Sequence, residues 1–493
     1  MEIILSLIPF FIAMFFFHSS LASLVSLPMK NSENQNKSPE ENKTDSPDNL
    51  PENIVQNIFT FLPIKNAIVI ASTVSPRYKS SWRYNRRFLF DSDFHSRYSQ
   101  PDLAAMVDHL FNSHKGDEIK TFKLHIDSIG IEALLKRWLY ICTEKNLEDL
   151  ELHLYQPGFT VEFSVFNALH KLKTLKLVNC AIQLIEVPSG LQFLQTLSLC
   201  NLHITEDMFD VLIEHCKMLE IIDLIKCSTI NNLNLNAREN KHFKKLRLVE
   251  CPNLEKIEID SPTLRSIFYH GNFCTVRIAE GMKLYEAFFY FIPSTHYIQS
   301  TPLEALVKDL SNVSILTTTP LLIEGVAGVL QGAQYCFENL LELQLFTDEA
   351  VFCNPYDIFM FLKNCPSLVK LFIDLNDYIF DLGMYWKLNQ QPLLNNCNHK
   401  FTQLKVLVIR SFKFLPSELE LVKIVLQRAT ILERLTLISQ ESDGSSKFEG
   451  EDVAKYVKLF GSWAASTRVI IKYVDKSFDN PTHPKRWLHT DAN

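Results

Sequence analysis

Glycine is scarce in this chain, with 13 in 493 residues, too few for an enzyme organised around glycine-rich phosphate loops. No G-x-x-x-x-G-K-[ST], G-x-S-x-G or H-E-x-x-H run occurs, so the common nucleotide, esterase and zinc-protease chemistries lack their scaffolds. Glu324-Gly325-Val326-Ala327-Gly328 is too slight for a nucleotide loop. Basic charge is also short: 49 Lys and Arg stand against 56 Asp and Glu, a net charge of −7. That excludes a protein that displaces counterions from phosphates over a basic surface. The 11 cysteines form no C-x-x-C pair, and disulfide frameworks belong to short secreted chains with even counts. His109 and His114 lack a carboxylate at ligand spacing, so solvated or packing roles are expected for them, and His215-Cys216 falls where a helix meets a turn and reads as core. No catalytic residue, cofactor or metal ligand is predicted.

What is present is apolar residues at 47% and charged residues at 21%, a globular composition with enough material for a sizeable core. The chain opens with an apolar run, Ile3 to Leu27, centred on Phe10, Phe11, Phe15, Phe16 and Phe17. It is long enough for a signal core or a marginal membrane span, and Ser20-Leu21-Ala22 offers small residues for cleavage. Met1-Glu2 supplies no basic n-region, however, and Pro9 and His18 weaken a spanning helix. The expected location is nucleus or cytoplasm, the alternative an anchor at residues 3–27 with a cytosolic body. Residues 31–47 hold no apolar side chain and cannot offset their ordering entropy, so a disordered linker is expected there.

A helical module follows at residues 48–90. Asp48 can cap a helix entered through Pro51. Ile54, Val55, Ile58, Phe59 and Leu62 make one apolar face at three- and four-residue spacing, and Pro63 ends it. A second helix is expected over Lys65–Ser72 and a third, short one from Ser75-Pro76 through Trp82. The ordered run Leu50-Pro51-Glu52-Asn53-Ile54-Val55, Ile58-Phe59, Phe61-Leu62-Pro63-Ile64-Lys65, Val74-Ser75 and Arg77-Tyr78-Lys79-Ser80-Ser81-Trp82 resembles the F-box. Tyr78 stands where that family usually carries tryptophan, and Pro76 where a basic residue is common. The resemblance implies an adaptor-binding surface drawn from Leu50, Pro51, Ile54, Val55, Ile58, Leu62, Pro63, Val74, Tyr78 and Trp82. A unit of about 40 residues cannot satisfy all its apolar faces internally, so cover from a partner is expected.

Beyond residue 120 an L-x-x-L-x-L-like phrase recurs, at Leu147–Leu152, Leu172–Leu177, Leu194–Leu199 and Leu219–Leu224. It continues at Phe243–Leu248 and Leu254–Ile259, and after a less regular centre at Leu340–Leu345, Leu368–Ile373, Leu404–Ile409 and Leu432–Leu437. The early spacing falls in the range of roughly 20–29 residues seen in leucine-rich repeats. Alternate residues of each short strand should point into a shared core, with Lys173, Lys176 and Ser198 outward. One unit cannot bury its apolar side alone, so neighbours should stack into a curved solenoid with a parallel sheet. Cys180, Cys227 and Cys251 each follow such a strand at the same phase and read as small buried hydrophobes.

The stretch from Cys251-Pro252-Asn253-Leu254 to His270-Gly271 looks like the middle of plant F-box/leucine-rich-repeat proteins. Phe401–Leu407, Glu418–Val422 and Leu432–Thr436 resemble the carboxy-terminal FBD segment of that family. The expected class is α/β, a small three-helix F-box module followed by an irregular leucine-rich-repeat solenoid. Its layout is an apolar leader at 1–28, linker 29–47, F-box 48–90, connecting helices 91–119, solenoid 120–400, FBD-like repeats 401–475 and a tail from 476. The resemblance implies a non-catalytic substrate receptor of an SCF-type ubiquitin ligase, joined through a Skp-type adaptor to cullin, with an unknown protein target. The alternative is a secreted or membrane-attached repeat protein, with glycans at Asn36, Asn42 or Asn312 and paired cysteines.

Overall fold

A computed structural model describes residues 51–73, 78–183, 189–292, 300–323, 336–347, 354–376, 382–439 and 450–474. The chain divides into two units, Met1–Leu124 and His125–Asn493.

The first unit runs α1 (Glu52–Phe61), α2 (Ile64–Thr73), a 3-10 turn at Ser81–Tyr84, β1 (Arg87–Phe90), α3 (Ser92–Arg97), α4 (Gln100–Ser113) and β2 (Thr121–Ile126). Proline punctuates it. Leu62 takes the extended conformation (ψ 144°) that a following proline imposes, so α1 stops there. Pro63 carbonyl then accepts from the Ala67 amide at 3.0 Å, opening α2. α4 starts where the Ser99 side chain accepts from the Asp102 amide, with proline in its first turn. Its Leu103, Val107, Leu110 and Phe111 are buried at helical spacing. β1 pairs in parallel with β2 from Arg87–Thr121 to Phe90–Leu124. Phe88, Phe111 and Phe122 meet edge to face at 5.1 Å spacings in the core.

The second unit opens with α5 (Glu132–Glu144) and β3 (Asp149–Leu154). Strands β4 (Thr160–Glu162), β5 (Thr174–Val178), β6 (Ala181–Gln183) and β7 (Thr196–Cys200) precede α6 (Glu206–His215). Next come β8 (Ile221–Ile225), β9 (Asn232–Asn236), β10 (Lys245–Val249), β11 (Lys256–Asp260), β12 (Ser266–Gly271), β13 (Thr275–Ile278) and β14 (Glu286–Phe291). The rest is α7 (Ser300–Leu310), β15 (Ile315–Thr318), β16 (Glu342–Phe346), α8 (Pro355–Lys363), β17 (Lys370–Asp374), α9 (Gln391–Asn396), β18 (Val406–Phe412), α10 (Pro416–Leu426), β19 (Arg434–Ser439), α11 (Gly450–Trp463) and β20 (Ile470–Val474).

The strands β3, β5, β7, β8, β10, β12 and β14 through β20 lie side by side, all parallel. Their register carries two apolar columns across the sheet. One passes through Leu150, Leu175, Leu197, Ile222, Leu246, Ile267, Ala287, Leu316, Leu343, Leu371, Leu407 and Leu435, every member buried. The second lies two residues on, through Leu177, Leu199 and Leu224 to Leu437, and is interrupted by the buried Thr318. Burial alternates along the early strands, with Lys176 and Ser198 between buried leucines, whereas later strands such as Glu342–Phe346 and Lys370–Asp374 are buried almost throughout. Cys180, Cys227 and Cys251 are buried just past β5, β8 and β10.

One repeat phrase sits elsewhere than its pattern suggested. The Leu254–Ile259 phrase falls on β11 (Lys256–Asp260), which belongs to a separate three-stranded sheet, β13-β11-β9. The long-sheet strand of that turn is β12, carried by Ile267 and Tyr269. Both strands of these turns bury alternate residues, so both show the same period. The apparent shortening of the repeat is two sheets read as one.

The outward face also departs from the polar expectation. Phe268 and Phe288 stack at 4.1 Å there and group with Cys200, Ile225, Val249 and Phe346, all buried. A smaller group of Phe372, Val408 and Ile438 lies further along.

Candidate docking surface

α1 carries two apolar stripes. Val55 and Phe59, four residues apart, are 3% exposed and pack with Ala67, Ala71 and Tyr78. Leu62, Ile70 and Trp82 pack against that cluster from its edge. The other stripe is Ile54, Ile58 and Phe61, at i, i+4 and i+7. Ile54 and Ile58 are half-buried and Phe61 is 68% exposed. Pro51 is exposed, Pro63 half-buried, and Val69 on α2 is 48% exposed. Exposed apolar side chains grouped on so small a module are the usual mark of a protein-binding face.

The residues implied by the F-box resemblance thus divide by position. Val55 and Tyr78 form core, Leu62 and Trp82 line its edge, and Pro51, Ile54, Ile58 and Pro63 keep accessible surface. Leu50 and Val74 lie outside the described residues, as does Asp48. In the described part, the residue at the cap position of α1 is Pro51, with no side-chain hydrogen bond. Glu52 places a carboxylate at the positive end of the helix. Of the expected third helix, residues 75–77 lie outside the described residues, and Trp82 itself sits in a 3-10 turn at Ser81–Tyr84.

Asn85 holds this face in place. It is fully buried, and its Nδ2 donates to the Phe59 and Leu62 carbonyls, both at 2.7 Å. Its Oδ1 accepts from the Arg87 amide at 2.6 Å. Both carbonyls lie at the α1 carboxy terminus, where the Phe59 carbonyl also accepts from the Leu62 amide at 3.3 Å, and carbonyls there cost free energy when buried without a partner. His114 reaches the Asn85 carbonyl at 2.9 Å through Nε2 and packs edge-on to Phe88 at 5.4 Å. His109 lies against Trp82 at 6.2 Å. Both histidines pack within the first unit.

Sequence reasoning missed Phe61, Val69 and Asn85. Phe61 was legible, since extending the Ile54–Ile58 spacing by three reaches it. No local pattern announces Asn85, whose partners lie 23 and 26 residues away.

Elsewhere, the ten described cysteines are free thiols, eight of them buried. Burial pushes the Cys180, Cys216 and Cys274 thiols up to about 12, which makes them poor nucleophiles. Among the described residues no three His, Cys, Asp or Glu side chains group to hold a metal ion. Among them, too, no helix is long and apolar enough to cross a membrane, and Ile3–Leu27 lies outside them. Residues 324–328 also lie outside them.

Two family models match the sequence. One, described as the At1g61320/AtMIF1 LRR domain, covers residues 110–472, and the F-box domain model covers residues 47–90. Among Arabidopsis thaliana proteins, the putative FBD-associated F-box protein At1g61330 is 31% identical over 433 residues, spanning 85% of this chain and 96% of that one. The FBD-associated F-box protein At1g61320 is 28% identical, over 85% of this chain and 94% of its own length. The F-box/FBD/LRR-repeat protein At1g13570 is 24% identical, over 82% and 94% respectively.

Proposed function

The chain belongs to the plant F-box/FBD/leucine-rich-repeat family, and from that premise we propose that it is the substrate receptor of an SCF-type ubiquitin ligase. The F-box of the first unit docks a Skp-type adaptor, which carries cullin, and the parallel-strand solenoid of the second holds a protein target. The chain itself supplies no chemistry. Its contribution is proximity: a tethered target meets the conjugating enzyme at high effective concentration instead of by dilute encounter. The reading places the protein in the nucleus or cytoplasm, and free, buried thiols support a reducing compartment.

The observation that carries the proposal is the accessible stripe Ile54–Ile58–Phe61 beside Pro51, Pro63 and Val69. An apolar surface this concentrated on one short helix pair is most stable when another protein covers it. The test is co-purification of the full chain with a Skp-type adaptor. Phe61→Glu changes a side chain that is already 68% exposed, so thermal stability should hold while adaptor capture falls by roughly tenfold or more. The pair Leu50→Ala and Pro51→Ala should weaken capture too. Undiminished capture by both variants would reject the adaptor assignment. Ubiquitylation of a co-purified target in vitro separates a ligase receptor from an adaptor-bound scaffold.

A further inference from the structure

Between β17 and β18 the second unit presents a helical stretch with two unlike sides. A π-turn at Trp386–Gln390 runs straight into α9, and such turns often mark functional positions in helices. Trp386 and Leu394 are buried. Arg428 fixes the inner side: it is itself buried, donates through Nη2 to the Leu394 carbonyl at 2.6 Å and through Nη1 to the Ile424 carbonyl at 3.3 Å, and lies over the Phe359 ring at 5.1 Å. The outer side carries Met384, Tyr385, Leu388 and Leu393, between 56% and 69% exposed. A helix this firmly seated gains nothing by turning four large apolar side chains to water unless something else covers them.

Beside Leu393 a cleft of about 220 Å³ opens against α8, lined by Tyr356, Phe359, Met360, Lys363 and Cys397. It falls below the ~300–1,000 Å³ of small-molecule sites and suits an inserted side chain. Basic charge predominates around it. Residues 382–400 contain Lys387, His399 and Lys400 and no Asp or Glu, and Lys363 and Lys387 are exposed. Burial, and after it the Lys363 and Arg428 charges, holds the His399 imidazole below its ordinary range. The nearby Asp357 carboxyl accepts a hydrogen bond from the side-chain amide of Asn354, which caps α8, and Glu420 is paired with Lys423 at 3.3 Å. A basic rim around an apolar strip in a chain of net charge −7 selects its complement.

We propose that the outer side of residues 384–396, with the cleft beside Leu393, is a docking site for an acidic amphipathic helix of a partner protein. Apolar side chains at i, i+4 and i+7 of that helix would lie on Met384, Leu388 and Leu393, one of them entering the cleft, with carboxylates facing Lys363 and Lys387. The site is independent of the F-box surface, and its test involves no adaptor. The probe is a fluorescein-labelled synthetic helix of roughly five turns with Leu and Phe on one stripe and Glu elsewhere, against a counterpart carrying Lys for Glu. Fluorescence anisotropy with the full chain should show saturable binding of the Glu peptide, weakened by salt, and at least ~10-fold weaker binding of the Lys peptide. Leu388→Ala with Leu393→Ala, and separately Lys363→Glu with Lys387→Glu, should each weaken the Glu peptide by roughly tenfold at unchanged Tm. Absence of binding, equal affinity for both peptides, or indifference to both pairs of substitutions overturns the proposal. So does a dimer of the chain that the leucine pair abolishes, which would assign the strip to a second copy.

Discussion

Glu418, fully buried near the start of α10, receives hydrogen bonds at Oε2 from the Lys413 amide at 2.8 Å and the Leu415 amide at 3.1 Å. Its Oε1 has no hydrogen-bond partner. Burial is the leading cause that pushes its carboxyl up to about 7 from an ordinary 4.5, outweighing the two amides, which favour the charged form. The folded chain therefore holds this proton more tightly than the unfolded one. The resulting stability is fully present below pH 4.5 and lost as pH rises through about 7. Glu418→Gln keeps an acceptor for the amides and has no proton to lose. Stability measured by denaturant at pH 5 and pH 8 should shift in favour of the variant at the higher pH, by up to about 3 kcal/mol. A gap between the two proteins that does not change with pH would show that the carboxyl is already ionised at neutrality. Nothing in the sequence marks Glu418 as unusual, because its burial depends on α10 packing within the terminal repeats.

At the scale of elements, the solenoid turns are closed by a column of left-handed residues. Asn179, Asn201, Lys226 and Glu250 follow β5, β7, β8 and β10 at φ between 48° and 57°. Their amides donate to Cys200, Ile225, Val249 and His270 carbonyls of the next turn. Asn179 and Asn201 also join side chain to side chain at 2.6 Å, and Lys226 pairs with Glu250 at 3.6 Å. Asparagine tolerates this conformation, while a β-branched residue does not. Asn201→Val and Asn201→Gly lose the same side-chain bond, so their difference isolates the backbone. The valine variant should be the less stable by ~1–2 kcal/mol in thermal or denaturant unfolding, and equal stabilities would refute the strain. The periodic leucines made each strand legible one at a time. The left-handed column was not, because two asparagines, a lysine and a glutamate share no chemistry, only a register position.

For the second unit as a whole, the end of the ladder is a stability question. β20 pairs with β19 from Arg434–Ile470 to Ile438–Val474. Ser466 donates to the Leu432 carbonyl at 2.7 Å, and Phe460 of α11 is fully buried. A chain stopped after Ser439 would leave Leu432, Leu435 and Leu437 on an open end, each worth ~1.5–3 kcal/mol when buried. Repeat arrays need their terminal caps. The truncated protein should melt at lower temperature and lose slow amide exchange in β19. Retained protection there would mean that the ladder closes without its last strand.

The sequence by itself determined the two kinds of unit, because both rest on local period. Helical spacing and proline placement set α1 and α2, and the L-x-x-L-x-L phrase set most strands of the long sheet. Strands β14 and β15 escaped that pattern, as Glu286–Phe291 is nearly all apolar and Ile315–Thr318 buries two threonines. Only tertiary structure decided which strand joins which sheet, as with β11, since two strands of one turn share a period of two. It also decided that Asn85 clamps α1, and that Met384, Tyr385, Leu388 and Leu393 face water while Trp386 and Leu394 do not. In each case the deciding partner is distant along the chain, and periodicity carries no information about what a face will meet.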